Sequence, residues 1–189
     1  EAEKHATHII LDDGLQNPNL LPDIALLVVD AASGFGNGRV IPAGPLRETL
    51  DKVMQWVDGV VVIGDNSTSV RQYIGASVKI YHAHVQPVAS PSPGTFFAFA
   101  GIGRPEKFYA TCRAAGLNII GTRDFPDHHV FTELELADLQ RAAETSNAQL
   151  LTTEKDFVRL PDSFRAKVQT LPVQLEFKDV AGIRALLNS

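Results

Sequence analysis

This sequence has a single cysteine, Cys112, among its 189 residues. One cysteine closes no internal disulfide and builds no cysteine zinc cage. A chain without cross-links suits a reducing compartment. Runs of Lys or Arg are missing as well, and the formal net charge is −5, which argues against nucleic acid as a partner. That acidic balance gives no general attraction to anionic lipid, so membrane contact would need a local patch or an anchor outside these residues. No stretch approaches the roughly 20 apolar residues that span a bilayer. The opening EAEKHATHII lacks a positive segment leading into an apolar core and is no signal peptide. Nowhere does GxxxxGK followed by Ser or Thr occur, so the usual phosphate-cradling loop is absent from these residues.

What is present is ordinary globular material, 44% hydrophobic and 21% charged. The length suits one domain or two small ones. Three short apolar runs predict strands buried on both faces, the habit of parallel sheets. They are His8–Leu11, ended by Asp12-Asp13-Gly14; Ile24–Val29, ended by Asp30; and Val60–Ile63, ended by Gly64-Asp65. Leu46, Leu50, Val53, Met54 and Val57 recur at helical spacing between the second and third runs.

The stretch PVASPSPG at 87–94 can continue neither a helix nor a central strand. It predicts a linker between a first domain, 1–86, and a second α/β lobe, 95–189. In that second part Thr95–Ala100, Gln149–Thr153 and Val173–Phe177 read as strands. A helix opens at Pro105 and leaves at Gly116, and Thr132-Glu133-Leu134-Glu135 forms a capping box for a helix to about Ser146. Alternating strands and helices make the fold class α/β.

Several residues carry possible chemistry, each beside a plainer reading. Asp12 and Asp13 close an apolar run, where carboxylates can hold magnesium near a nucleotide phosphate; a solvated strand end looks the same. GFGNGRVIPAGPLRE at 34–48 has a turn signal at Asn37-Gly38, suited to a hairpin, and is too long for a mere connector. Its Arg47 can clamp phosphate with a planar fork, or Arg47 and Glu48 can simply open a helix. Gly101-Ile102-Gly103-Arg104 reads as a tight strand–helix turn. Asp127-His128-His129 pairs a carboxylate with imidazoles, an acid–base or metal arrangement that also occurs at surfaces and caps. Lys155 in TTEKD can face an anion or pair at the surface. His5, His8, His82 and His84 have no comparable setting.

Together, DDGLQ, GNGRVIPAGPLRE, FAGIGRPEKF, FPDHH and TTEKDFVRL resemble the tetraacyldisaccharide 4'-kinase family in order and spacing, over nearly the whole chain. The resemblance implies the parallel sheet of a P-loop kinase plus a second α/β lobe. It implies transfer of the ATP γ-phosphate to the 4'-hydroxyl of a tetraacyldisaccharide lipid A precursor, with Mg2+, at the cytoplasmic face of the bacterial inner membrane. By position, Asp12 and Asp13 would serve the metal, and Gln16, Asn17, Arg47 and Glu48 the substrate or nucleotide pocket. Asp127 and His128 would be catalytic, with His129 an alternative to His128. The family pattern DDGxQH departs here at Asn17, which hydrogen-bonds but cannot titrate.

The resemblance also implies a P-loop, a membrane-binding helix and a catalytic aspartate ahead of Glu1, so the chain is expected to be an incomplete or inactive part of such an enzyme. Two rivals stand beside the kinase reading. One is a non-catalytic module that binds lipid-sugar or nucleotide. The other is a magnesium-dependent phosphatase with Asp12 as nucleophile, whose DxD spacing is missing.

Overall fold

The computed structural model describes residues 7–17, 19–65, 68–75, 77–89 and 91–188. Its strands are β1 (Leu26–Asp30), β2 (Gly59–Ile63), β3 (Lys79–Pro87), β4 (Thr95–Ala100), β5 (Asn118–Asp124), β6 (Gln149–Thr152), β7 (Val168–Thr170) and β8 (Val173–Phe177). Its helices are α1 (Leu50–Val53), α2 (Thr68–Arg71), α3 (Pro105–Ala114), α4 (Glu133–Thr145), α5 (Glu154–Phe157), α6 (Asp162–Arg165) and α7 (Val180–Leu187). Two four-stranded sheets result, ordered β1-β2-β3-β8 and β5-β4-β6-β7. The α/β class expected from the sequence is the class observed.

The chain divides into two compact units, 1–84 with 177–189, and 85–176. In the first, β1, β2 and β3 pair in parallel register. β2 is the central apolar strand: Val60 and Val62 pack with Val29, Phe35, Val70 and Ile74 on one face. Val61 packs with Tyr81, Ala83 and Ile183 on the other. That second contact corrects the expectation that 95–189 forms one lobe. α7 carries Ile183 onto the first sheet because its apolar stripe finds an uncovered face there.

In the second unit all four strands run parallel. β4 alternates two-sidedly. Phe97 and Phe99 join α4, through Leu136, Leu139 and Ala143. Phe96, Ala98 and Ala100 join α3, through Phe108, Tyr109 and Cys112. Each fully buried large side chain there contributes about 1.5–3 kcal/mol. Burial pushes the Cys112 thiol up to about 11, so Cys112 is an inert core residue. Burial, then the Asp124 carboxylate that Tyr109 bonds at 2.7 Å, also raises the Tyr109 phenol.

Two expectations in the first unit fail. Residues 8–11 are not a strand, and Ile10 is 93% exposed. Local apolarity is not enough; a strand needs a ladder neighbour, and the described residues give this segment none. The helix expected across 46–57 is only α1. Leu46 is used instead in a bridge to Val40 that closes the preceding loop.

Candidate functional site

In the second sheet, β4 is followed through α3 by β5 on one side. The chain then crosses through α4 to β6 on the other side. The direction of winding reverses at β4. Open α/β sheets place ligands beyond the carboxyl ends of the strands at such a reversal. Three segments leave those ends here: Gly101 after β4, residues 125–131 after β5, and Thr153–Arg159 after β6.

Asp156 ties two of them together. It is fully buried. Its Oδ2 accepts from the Gly101 amide at 3.0 Å and from the Thr153 hydroxyl at 2.7 Å. Thr153 in turn caps α5, accepting from the Asp156 amide. Space at Gly101 is tight: a Cβ would sit 3.2 Å from Asp156 Oδ1 and from the Pro126 carbonyl. Arg159 lies over this knot, with Nη1 3.4 Å from Asp156 Oδ1 and from the Gly101 carbonyl. Its Nη2 is 3.0 Å from His128 Nδ1.

The two histidines have opposite settings. His128 is exposed, with 68% of its side chain open, and has φ 100. That region is rare for a residue with a Cβ, and such strain gathers at functional sites. Its amide is held by the Gly101 carbonyl at 3.2 Å. Its Nε2 lies 3.7 Å from Asp127 Oδ1, an electrostatic contact too long for a hydrogen bond.

His129 is 21% exposed. It stacks on Phe125 at 5.0 Å and meets Phe131 edge-on at 5.3 Å. Its Nε2 contacts Glu135 Oε2 at 2.9 Å. His129 anchors the loop to α4, while His128 faces outward.

Glu135 completes the capping box of α4. Its carboxyl is held down to about 2, first by the Thr132 amide, then by His129 and the Thr132 hydroxyl. Its folded value lies below the unfolded value of about 4.3. The stabilisation is therefore full above about 4.3 and is lost as pH falls toward the folded value. The melting-temperature advantage of wild type over Glu135→Gln should accordingly shrink between about pH 5 and pH 2. A difference that stays constant across that window would mean the carboxylate charge does not hold the loop.

In the first unit, two motifs meet at Arg47, DDGLQ and the 34–48 loop. Its Nη1 donates to Asp13 Oδ2 at 2.7 Å and to Gln16 Oε1 at 3.3 Å. Loop 34–48 builds this presentation from within. Gly34, Gly36 and Gly38 have φ 53, 60 and 69, values that glycine adopts at no steric cost. Asn37 donates to the Ala43 carbonyl at 2.8 Å and accepts from the Arg39 amide at 3.1 Å. The Leu46 amide closes on the Arg39 carbonyl. Asn37-Gly38 is thus a turn, but not of a hairpin, since the closing Val40–Leu46 bridge is parallel.

Asp13 sits in the left-handed region at φ 54 and opens the 3-10 turn Gly14–Gln16. Asp12 is exposed. Asn17 accepts from the Asn19 amide in a local turn, and Glu48 pairs with Lys52. The structure joins neither of them to Arg47. His5 lies outside the described residues, and Lys155 is exposed.

The sequence profile of the Tetraacyldisaccharide-1-P 4'-kinase family matches residues 1–189. The chain is 47% identical to the tetraacyldisaccharide 4'-kinase of Methylobacterium radiotolerans, over 93% of this chain and 55% of that one. This chain belongs to the tetraacyldisaccharide 4'-kinase family. The Chelativorans sp. tetraacyldisaccharide 4'-kinase is 44% identical, over 96% of this chain and 56% of its own. The chain thus spans about half the length of the curated relatives it matches.

Among solved structures, Aquifex aeolicus LpxK in complex with ATP superposes with a TM-score of 0.63 at 21% identity. It covers 93% of this chain and 55% of that one. This chain and that protein share a fold, in keeping with the α/β class expected from the sequence. Asp156 and Arg159 were not among the residues singled out in the sequence. The available signal was a capped Thr-x-x-Asp turn with an arginine three residues on.

Proposed function

We propose that this chain carries part of the machinery of an ATP-dependent kinase that phosphorylates the 4'-hydroxyl of a tetraacyldisaccharide, in lipid A biosynthesis. The observation that carries this reading is the meeting of Asp13 and Gln16, from the DDGLQ turn, with Arg47, from the distant 34–48 loop. Phosphoryl transfer needs positioning and charge stabilisation more than covalent chemistry. An oriented guanidinium beside carboxylates suits that need.

Mg2+ fits the donor set: it binds through one or two carboxylates plus phosphate oxygens, and Asp12 and Asp13 supply adjacent hard oxygens. When bound, the ion would neutralise phosphate charge. Arg47 holds the Asp13 carboxylate in place, and Gln16 shares that guanidinium. In the second unit, Asp127 and His128 stand at the sheet's winding reversal, where substrate groups are received. The work would take place at the cytoplasmic membrane face that presents the lipid. No helix among the described residues is long and apolar enough to cross a membrane.

One observation favours a second reading for the chain by itself, a binding module without turnover. No phosphate-cradling loop signature occurs in its 189 residues. The two readings separate in a transfer assay with labelled ATP, magnesium and tetraacyldisaccharide. The chain alone should give no turnover. A chimera in which it replaces the matching part of the Methylobacterium radiotolerans kinase should turn over at about 1–100 per second.

Arg47→Ala in that chimera should cut transfer while barely changing stability, because the Arg47–Asp13 pair is 60% and 65% exposed and exposed pairs contribute about 0–1 kcal/mol. Kinase-like rates from the chain alone would refute the need for a separate phosphate cradle. An Arg47→Ala chimera as fast as its parent would remove the Asp13–Arg47 group from the site.

A further inference from the structure

We propose that Arg159, locked by the buried Asp156, is a positioning residue that holds the His128 ring as its Nε2–H tautomer. The proposal rests on His128 belonging to the site described above, and it adds the device that sets its chemistry. A guanidinium has five donors, no acceptor and no accessible neutral form. At 3.0 Å from Arg159 Nη2, His128 Nδ1 is therefore the acceptor. The proton of the neutral ring then resides on Nε2. Asp127 stands 3.7 Å from that nitrogen, too far to take its hydrogen bond. The Nε2–H is left to donate to an oxygen of a bound phosphate or sugar.

This reverses the expected roles. The neighbouring carboxylate, Asp127, was the expected tautomer-setting partner, with His128 as an acid–base group. The structure gives that task to an arginine and makes His128 a hydrogen-bond donor.

Arg159 can do this because it has little freedom. It follows Asp156 by three residues, and its amide bonds the Asp156 carbonyl at 2.9 Å. Nη1 lies between Asp156 Oδ1 and the Gly101 carbonyl. Swinging the side chain away would leave a fully buried carboxylate without its cation, a costly state. Gly101 also accepts the His128 amide through its carbonyl and donates its own amide to Asp156. Backbone and side chain of His128 are thus set by one buried group. His128 makes both contacts from a backbone at φ 100.

The test reads the ring directly. In the 15N-labelled chain, a long-range proton–nitrogen spectrum should show His128 with one protonated and one unprotonated ring nitrogen, Nε2 and Nδ1, with His128→Gln identifying the signals. In Arg159→Met the two nitrogen signals should move toward an averaged pair. Arg159→Lys, which keeps the charge and a donor and guards against loss of fold, should restore part of the asymmetry. In the chimera, Arg159→Met should lower kcat roughly 100-fold with little change in KM for ATP.

A folded Arg159→Met chain with unchanged His128 signals overturns the proposal. So does a shifted tautomer with undiminished turnover, although the kinase reading would survive it. An inactive parent chimera would instead defeat the kinase reading and leave the spectrum to decide the role of Arg159.

Discussion

His128→Ala should reduce phosphoryl transfer by the chimera roughly 100- to 1,000-fold, the usual cost of losing one preorganised hydrogen-bond donor. The melting temperature of the chain should hardly move. The side chain is mostly exposed, with Arg159 and Asp127 beside it, so little burial is lost. His129→Ala should do the opposite. Its ring packs between Phe125 and Phe131 and bonds an ionised Glu135. Removing the ring forfeits an aromatic contact worth about 0.5–1.5 kcal/mol and the hydrogen bond to the Glu135 carboxylate. That should lower the melting temperature by several degrees and leave turnover near normal where the variant is fully folded. Measuring both quantities for both variants separates the roles. If His128→Ala loses stability and keeps its turnover, the second unit holds no catalytic residue at this loop.

Asp156→Ala should destabilise the chain by about 3–5 kcal/mol, the cost of breaking a buried charged pair from one side. That is a large share of a typical domain stability of about 5–15 kcal/mol. Three groups would lose their partner together: the Gly101 amide, the Thr153 hydroxyl and the Arg159 guanidinium. Asp156→Asn retains one acceptor oxygen and the shape, and should cost clearly less. Urea unfolding of both variants, read as midpoints at unchanged slope, tests the ranking. An alanine variant within about 1 kcal/mol of wild type would show that water replaces the carboxylate, and the rigid knot under His128 would not exist.

Strands β2, β4 and β6 were legible because each lies inside its sheet with mostly buried residues. β1 also reads as an apolar run, but it is an edge strand with Val28 57% exposed, so the burial on both faces expected there fails. β3 and β5, KIYHAHVQP and NIIGTRD, mix polar residues into the strand and gave no such signal. β5 is an edge strand in which exposed residues alternate with half-buried ones. His8–Leu11 shows the converse error, an apolar run with no neighbour to pair with. α4 was read almost to its ends from the capping box, and α3 from Pro105 and Gly116, since these signals are local. Loop 34–48 was marked by its glycines and prolines. That it folds back to aim Arg47 at Asp13 depends on contacts across about thirty residues of sequence, which no local pattern encodes.

By itself, the sequence determined the α/β class, the family and most of the residues worth testing, because motif order and two-faced burial are written along the chain. Tertiary structure alone decided which histidine faces outward, that α7 returns to the first sheet, and that Arg159 reaches both Asp156 and His128. Those outcomes follow from distances between segments that only folding brings together. The winding reversal at β4 brings the ends of β4, β5 and β6 side by side, and a buried carboxylate can be satisfied only by groups from more than one of them.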